Sequence, residues 1–435
     1  MVYTNSESLE VGNSKTGGYN MSKPKLALVL AIVTVLVFSA VAAVVTAEKK
    51  KEQSRSKVNL ELIWEKEFQE AVIDFSIAMS KSGEYFPNVV VLTDKALVLD
   101  HRGEKISEIR GLDKGFNFFT ISESGNHIIQ SWQYRSQGAK ELEQSIVYVY
   151  DLAGTLRWKT PNVVPMRFPE LAPNGDYLIG PSWAEVLLVK KDGALRLINP
   201  RQDERRSLMR IFFAISGDSK FWAISFGEPY QDENVELVIY DPNGDELWRK
   251  VLEPMGLAYE LEISHNGDMI ATVAPGRATN FLCLFDRRGN LLWKAGEISG
   301  TNQRVVFSAS DDYVFIADAW GAVKCFATSS GRLIWHDQIS KEEIVIFQDP
   351  GNRFVPHMEI SFCPDGNSII ISGRNMKTNA DCLLVFEGEG GLVRTFSLPS
   401  STGRLLPKTK FVPTGEYIYA ANGERLSKFA LRRAK

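Results

Sequence analysis

Two stretches decide the architecture: LVIYDPNGDELW at 237–248 and LCLFDRRGNLLW at 282–293. In each, a short apolar run meets Asp-x-x-Gly, and a tryptophan follows four residues beyond the glycine. The aspartate caps backbone amides of a tight turn and the glycine supplies a positive φ, so each stretch reads as a β-hairpin. The same phrase recurs as ALVLDHRGEKI (96–106), VYVYDLAGTLRW (147–158), LLVKKDGALRL (187–197), VKCFATSSGRLIW (323–335) and LLVFEGEGGLV (383–393).

A second phrase precedes each hairpin, again two apolar runs around a Ser/Asn/Asp/Gly turn. Its instances are AMSKSGEYF (78–86), TISESGNHII (120–129), ELAPNGDYLI (170–179), AISGDSKFWAI (214–224), EISHNGDMIA (262–271), FSASDDYVFI (307–316), FCPDGNSIII (362–371) and FVPTGEYIYA (411–420). The turn centres, Gly83, Gly125, Gly175, Ser219, Gly267, Asp311, Gly366 and Gly415, recur at a spacing in the 40s to 50s. Two hairpins of five- or six-residue strands per unit, repeated eight times, predict an all-β, eight-bladed β-propeller with four-stranded antiparallel blades.

Trp158, Trp248, Trp293 and Trp335 occupy one position of the repeat. A large ring recurring there predicts a wedge between neighbouring blades, its indole N–H satisfied by a backbone carbonyl. The last unit ends with a third strand and has no room for a fourth, while LELIWEKEF (60–68) precedes the first unit without partners. Residues 60–68 are therefore expected to complete the eighth blade and to close the ring, which removes its free edges.

The unit (V/L)-x-x-(F/Y/L)-D-x-x-G-x-x-x-W resembles the repeat of pyrroloquinoline-quinone-like propellers, and FCPDGNSIII and LAPNGDYLI resemble the first strands of WD40-like blades. The resemblance covers 60–435 and rests on packing and turn positions. It implies either a quinoprotein dehydrogenase or a non-catalytic propeller such as the lipoprotein scaffold of outer-membrane assembly. The dehydrogenases carry adjacent cysteines over the quinone, whereas Cys283, Cys325, Cys363 and Cys382 stand apart, so no cofactor is expected.

Ahead of the repeats, LALVLAIVTVLVFSAVAAVVTA (26–47) is 22 residues without charge, Gly or Pro. As a helix it would reach about 33 Å, enough to cross a hydrocarbon core of about 30 Å. It predicts a single-pass transmembrane anchor, with a polar, disordered N-terminus at 1–25, a charged tether at 48–59 and the propeller at 60–435. Met21 opens the basic lead-in MSKPK and is an alternative start to Met1, and a cleaved signal peptide is an alternative to the anchor. The lead-in favours export, placing the propeller on the extracytoplasmic side.

The 435 residues are 44% hydrophobic and 24% charged, with a net charge of −3. That balance offers no basic field for nucleic acid. G-x-S-x-G, H-E-x-x-H, P-loop and C-x-x-C motifs are absent from the sequence, and the five histidines are scattered in turns and loops. Buried, inert thiols are expected for the four cysteines.

The first strand of each blade lines the central channel, and its start lies at the end opposite the short turns. Counting seven and five residues back from each turn centre collects Ser76, Phe118, Phe168 and Phe212 on one arc, and Glu170, Glu260, Glu262, Arg304, Glu359, Lys408 and Lys410 among the polar positions. These charges either pair with one another in a wet channel or form a polar site for a peptide or small ligand. The connections 130–145, 225–235, 340–357 and 372–381 are long and belong to the same rim, and RQDERRSLMR (201–210) offers Arg205 and Arg206 to an anionic partner.

The sequence therefore reads as a membrane-anchored, non-catalytic scaffold binding a protein or peptide, or a membrane complex, through its variable-loop face. The alternative is an enzyme at the channel mouth, quinoprotein-like or a hydrolase or lyase using the channel carboxylates.

Overall fold

The computed structural model describes the chain from Val58 to Arg433 apart from the segments 80–84, 113–115, 123–125, 135–143, 162–165, 167–168, 182–184, 200–210, 227–233, 255–259, 275–278, 299–303, 309, 319–320, 340–343, 346–359, 364–367, 376, 379, 388–390, 399–407 and 413. The chain divides into two units, Met1–Ser54 and Arg55–Lys435, and every described residue belongs to the second. The expected N-terminus 1–25, the anchor 26–47 and the tether up to residue 57 lie outside the described residues. Among the described residues no helix is long and apolar enough to cross a membrane.

Eight antiparallel sheets follow one another along the chain. Blade 1 spans 72–110, blade 2 116–159, blade 3 170–198, blade 4 211–254, blade 5 261–298, blade 6 304–338 and blade 7 344–397. Blade 8 is made of 408–433 together with Val58–Glu67. Middle strands such as Trp222–Phe226 and the first six residues of Ser368–Asn375 are buried at every position, covered on both faces by the neighbouring blades. Fourth strands such as Leu195–Ile198 are mostly exposed. One blade departs from four strands. In blade 7 the first position is split between Ile344–Val345 and Ile360–Phe362, both paired to Ser368–Asn375. Part of the segment expected as the loop 340–357 is thus sheet.

The expected closure is present. Val58–Glu67 pairs antiparallel with Arg425–Arg433, with Leu60 opposite Leu431 and Trp64 opposite Lys428, so the first strand of the chain is the outermost strand of the last blade. Eight apolar clusters show that the ring is complete, because each lies between two successive blades. Val90 and Phe75 of blade 1 meet Tyr419 and Leu426 of blade 8, and Ile370 and Leu383 of blade 7 meet Ile418 and Phe429 of blade 8. The other six clusters join blades 1–2, 2–3, 3–4, 4–5, 5–6 and 6–7 in the same way. A sheet closed on itself by such interfaces exposes no hydrogen-bonding edge across the ring seams, and every blade buries both faces.

The repeated tryptophans are the predicted wedges. Trp158 donates its indole N–H to the Gly175 carbonyl of blade 3 (3.0 Å), Trp248 to Arg287 of blade 5 (3.0 Å) and Trp293 to Thr328 of blade 6 (2.6 Å). Turn glycines of the next blade accept two of these rings: a Cβ on Gly289 would stand 3.0 Å from Trp248 and one on Gly331 2.7 Å from Trp293, and Gly331 has φ +66°, so both packing and backbone demand glycine there. Trp335 instead stacks on Phe386 of blade 7 (5.7 Å, 3°), and its indole nitrogen has no hydrogen-bond partner among the described residues. Replacing Trp248 by phenylalanine is therefore expected to destabilise by about 1 kcal/mol more than the same change at Trp335, since only the former breaks a part-buried hydrogen bond. Parallel urea titrations of W248F and W335F measure the difference, and equal midpoints would refute the wedge bond.

The turn aspartates cap as expected. Asp286 Oδ1 accepts the N–H groups of Arg288 (2.9 Å) and Asn290 (2.8 Å), and Asp241 repeats the pattern on Asn243 and Asp245. Among the described first-hairpin turns, two carry a side chain at the left-handed position that Gly175, Gly267 and Gly415 hold in others: Ser219 (φ +58°) and Asp311 (φ +60°). Each uses that side chain to reach the preceding blade. Ser219 Oγ accepts the Asn174 N–H (3.0 Å), and Asp311 accepts the N–H groups of His265 (2.9 Å) and Asn266 (3.0 Å). The strained backbone at these two turns is offset by hydrogen bonds across a blade seam.

Candidate functional site

Strand order gives the ring two unlike ends. With four antiparallel strands per blade, every first-to-second and third-to-fourth turn falls at one end. Every second-to-third connection and every crossing to the next blade falls at the other. The Asp-x-x-Gly turns occupy the first end. The long connections occupy the second, although strands run further into them than the sequence suggested. Strand pairing continues to Tyr134 and resumes at Gln144 in 130–145, and it continues to Asn375 and resumes at Ala380 in 372–381.

The first strands of blades 1 and 2, 3 and 4, 4 and 5, 5 and 6, and 7 and 8 lie against one another, as strands around a common channel must. At the long-connection end their charged residues meet in pairs across blade seams. Glu260, at the start of blade 5, is 5% exposed and accepts a bond from the Arg304 guanidinium of blade 6 at 2.8 Å. Burial pushes the Glu260 carboxyl up to about 7, and Arg304 offsets only part of that shift. Thr272 holds the Glu260 carbonyl through its hydroxyl (2.8 Å), which fixes the backbone beneath the carboxylate.

The second pair closes the ring. Lys408 and Lys410, on the first strand of blade 8, reach the carboxylate of Asp74 in blade 1 at 3.5 and 3.2 Å. Asp74 is 3% exposed and also accepts the N–H groups of Phe75 (2.8 Å) and, from blade 2, of Ile121 (3.3 Å). Burial alone would raise its pKa, but Lys408, Lys410 and the Phe75 N–H outweigh it and hold the carboxyl below the usual range. Three blades are thus tied to one carboxylate.

The remaining sequence-derived candidates fall as follows. Glu170 and Glu262 lie half-buried on the first strands of blades 3 and 5, opposite Ile179 and Ala271. Phe118 is 59% exposed on blade 2, whereas Phe212 packs against the cluster between blades 4 and 5. Arg205, Arg206, Glu359 and Phe168 lie outside the described residues. Ser76, expected on the channel side, is buried and donates its hydroxyl proton to Asn88 Oδ1 (2.7 Å). Pairing is regular from Asp74 to Ser76, so Asp74 shares the strand face of Ser76 and lies two residues further from Gly83 than the count reached. The residue that takes the channel position is Asp74. Its signal in the sequence is a lone acid inside the apolar strand VIDFSIAM. Arg374 and Asp381, directly opposite in blade 7 and bonded at 2.8 Å, were likewise hidden inside a segment read as loop.

All four cysteines are buried, and burial pushes the thiols of Cys325 and Cys382 up to about 12, so neither is a thiolate near neutral pH.

The fold defines the class: an eight-bladed β-propeller of four-stranded antiparallel blades, closed by the strand Val58–Glu67. Among solved structures the chain is similar to the C-terminal WD40 domain of Sif2, at 13% identity and a TM-score of 0.56, over 85% of this chain and 98% of that one. It is also similar to BamB from Moraxella catarrhalis, at 12% identity and a TM-score of 0.50, over 86% of this chain and all (100%) of that one. No family model matches the sequence, and no curated protein matches it. At such identities the likeness establishes the fold alone.

Proposed function

We propose that this protein is a membrane-anchored scaffold that binds a protein or peptide partner at the long-connection end of its propeller. Residues 26–47 are the anchor, and the propeller stands on the extracytoplasmic side. The observation that carries the binding reading is the contrast between the two ends of a rigid ring. One end is a set of short, capped turns. The other gathers half-exposed Lys408 and Lys410, the Glu260–Arg304 pair and the exposed Phe118 around the channel. Rigid rings with chemically varied rims suit recognition, because docking costs little conformational entropy. The likeness to WD40 and PQQ-like propellers supports a protein partner in general. Glu170, Glu262, Glu359, Arg205 and Arg206 belong to the same proposed rim.

A photo-crosslinking residue placed at Phe118 in the full chain, in its native membrane, is expected to yield a discrete protein adduct. The same residue at Leu291, on the fourth strand of blade 5, is expected to yield none. Equal labelling at both positions, or none at Phe118, would overturn the reading. Protease accessibility of the propeller in intact cells against spheroplasts tests the side of the membrane, and alkaline extraction of the full chain against 48–435 tests the anchor.

Glu260 supports the second reading, an enzyme using a channel carboxylate, because a carboxyl titrating near neutrality is suited to proton transfer. Retention of partner crosslinking in Glu260→Gln separates the two readings, since an enzyme would lose turnover while a scaffold would keep its partner.

A further inference from the structure

The outer part of the seam between blades 2 and 3 is built unlike its counterparts. In five other blades the turn between third and fourth strands receives the fourth strand of the preceding blade. A Cβ placed on the turn glycine would meet Lys66 at Gly103 (3.4 Å), Ser107 at Gly154 (2.9 Å), Ile198 at Gly244 (2.6 Å), Trp248 at Gly289 (3.0 Å) and Trp293 at Gly331 (2.7 Å). At Gly193 of blade 3 nothing among the described residues stands within 4 Å. The opening goes with a redirected wedge. Trp158 gives its N–H to Gly175 in the first-hairpin turn of blade 3, whereas Trp248 and Trp293 give theirs to third-to-fourth turns, at Arg287 and Thr328. Leu195 and Leu197 stand opposite Val189 and Leu187, members of the cluster against which Trp158 packs, yet they remain 46% and 49% exposed.

The strand that carries these leucines is also the regular one. In each of the other seven blades the pairing of third and fourth strands contains a register shift, as between Val149 and Tyr150 in blade 2 or Leu284 and Phe285 in blade 5. Such a bulge spoils an outer edge for further pairing. In blade 3 the pairing runs from Val186 with Ile198 to Val189 with Leu195 without a shift. The Lys190 N–H bonds the Ala194 carbonyl, so antiparallel alternation turns the backbone of Arg196 and Ile198 inward and directs the N–H and C=O groups of Leu195 and Leu197 outward. Arg196 steadies the strand from its other face through Asp245 (2.7 Å) and the Asn243 carbonyl (2.8 Å).

We propose that this cleft is a strand-addition groove, in which an extended segment of a protein partner adds a fifth strand to Leu195–Ile198 and lays alternate apolar side chains against Leu195, Leu197 and Trp158. The groove lies on the circumference of the ring and does not rest on the reading of the long-connection rim. Outward donors and acceptors at the spacing of a ladder are matched by an extended chain, and leucines two residues apart call for apolar residues at every second position of it. A second copy of the propeller does not fit, because a four-residue edge paired with its twin falls far short of the roughly 1,000 Å² that a stable interface buries.

The test uses the full chain and three acetylated heptapeptide amides: one of alternating valine and threonine, one with its valines replaced by serine, and one of alternating valine and threonine N-methylated throughout. Calorimetry reads binding, and hydrogen exchange reads its place. The first peptide is expected to bind saturably and to slow exchange of the Leu195 and Leu197 amides several-fold, leaving the bulged strands Glu246–Pro254 and Leu291–Ile298 unchanged. The other two are expected to bind about tenfold more weakly or less. Leu197→Pro removes an outward N–H without touching the ladder and is expected to abolish binding. Leu197→Thr keeps the edge and is expected to weaken binding several-fold, so it carries the test if the proline variant shifts the urea midpoint. Failure of the alternating peptide to bind, equal protection of the bulged strands, or binding that survives N-methylation or both Leu197 variants would overturn the groove. Crosslinking from Phe118 is a separate readout: its loss with peptide binding intact removes the rim and leaves the groove.

Discussion

Replacing Arg304 by methionine is expected to destabilise the protein by about 3 kcal/mol at pH 8 and by less than about 1 kcal/mol at pH 5. Glu260 is the reason for the difference. Its carboxyl is buried at the start of blade 5 and is paired with the Arg304 guanidinium at 2.8 Å. Because burial raises its pKa in the folded protein to about 7 from an ordinary 4.5, the folded state holds a proton that the unfolded chain releases. The stability attached to that proton is fully present below about pH 4.5 and is lost as pH rises through about 7, which is the opposite of the usual salt-bridged carboxylate. A shift of that size corresponds to ~3 kcal/mol across the window. Without Arg304 the folded pKa rises further, so the loss continues above pH 7, whereas at pH 5 a neutral Glu260 has no need of a cation. Glu260→Gln should flatten the pH dependence between 4.5 and 7, and E260Q/R304M should recover most of the loss of R304M at pH 8. Urea midpoints measured from pH 5 to pH 8 on the four proteins decide it. An R304M penalty that does not change with pH would show that the arginine acts through packing of its stem alone.

The second large effect concerns the strand that closes the ring. A chain beginning at Gln69 lacks Val58–Phe68 and so loses the fourth strand of blade 8. The edge of Arg425–Arg433 is then unpaired, and Leu60, Trp64 and Phe68 are withdrawn from the clusters on both sides of that blade. The expected cost is about 5 kcal/mol or more, from the lost apolar burial and the lost ladder, together with aggregation through the exposed edge. A chain beginning at Lys57 should keep the full midpoint. A synthetic peptide of residues 58–68 added in trans should restore part of the loss to the shorter chain. Within the intact chain, Trp64→Ala should cost about 3 kcal/mol, because its ring meets Tyr419 edge-on at 6.3 Å between blades 8 and 1. Equal urea midpoints for the chains starting at 57 and 69 would mean that the ring holds without its closing strand.

Much of this architecture is written locally. Asp286 with Gly289, or Asp241 with Gly244, makes a turn through its own backbone, and the pattern is readable because the residues that cap and the residue that reverses the chain are four positions apart at most. Trp158, Trp248 and Trp293 could be placed as wedges because their position repeats. Ring closure was legible from a strand count that left one strand missing at the end and one spare at the start.

The channel site was legible only where blades keep a constant phase. Glu260 and Arg304 were found by counting back from Gly267 and Asp311, and the structure brings them together. Asp74 was missed because it stands nine residues before Gly83, beyond the five and seven of the count, and Arg374 and Asp381 were missed because polar residues near a connection resemble loop.

By itself, the sequence determined the number of blades and the turn chemistry, because those follow from contacts within about fifty residues that repeat eight times, and it marked the sealing strand as the one left over from that count. Only the tertiary structure decided which charges share a seam. Asp74 lies more than three hundred positions from Lys410, and nothing in either neighbourhood encodes a partner that exists only once the two ends of the chain have been folded side by side.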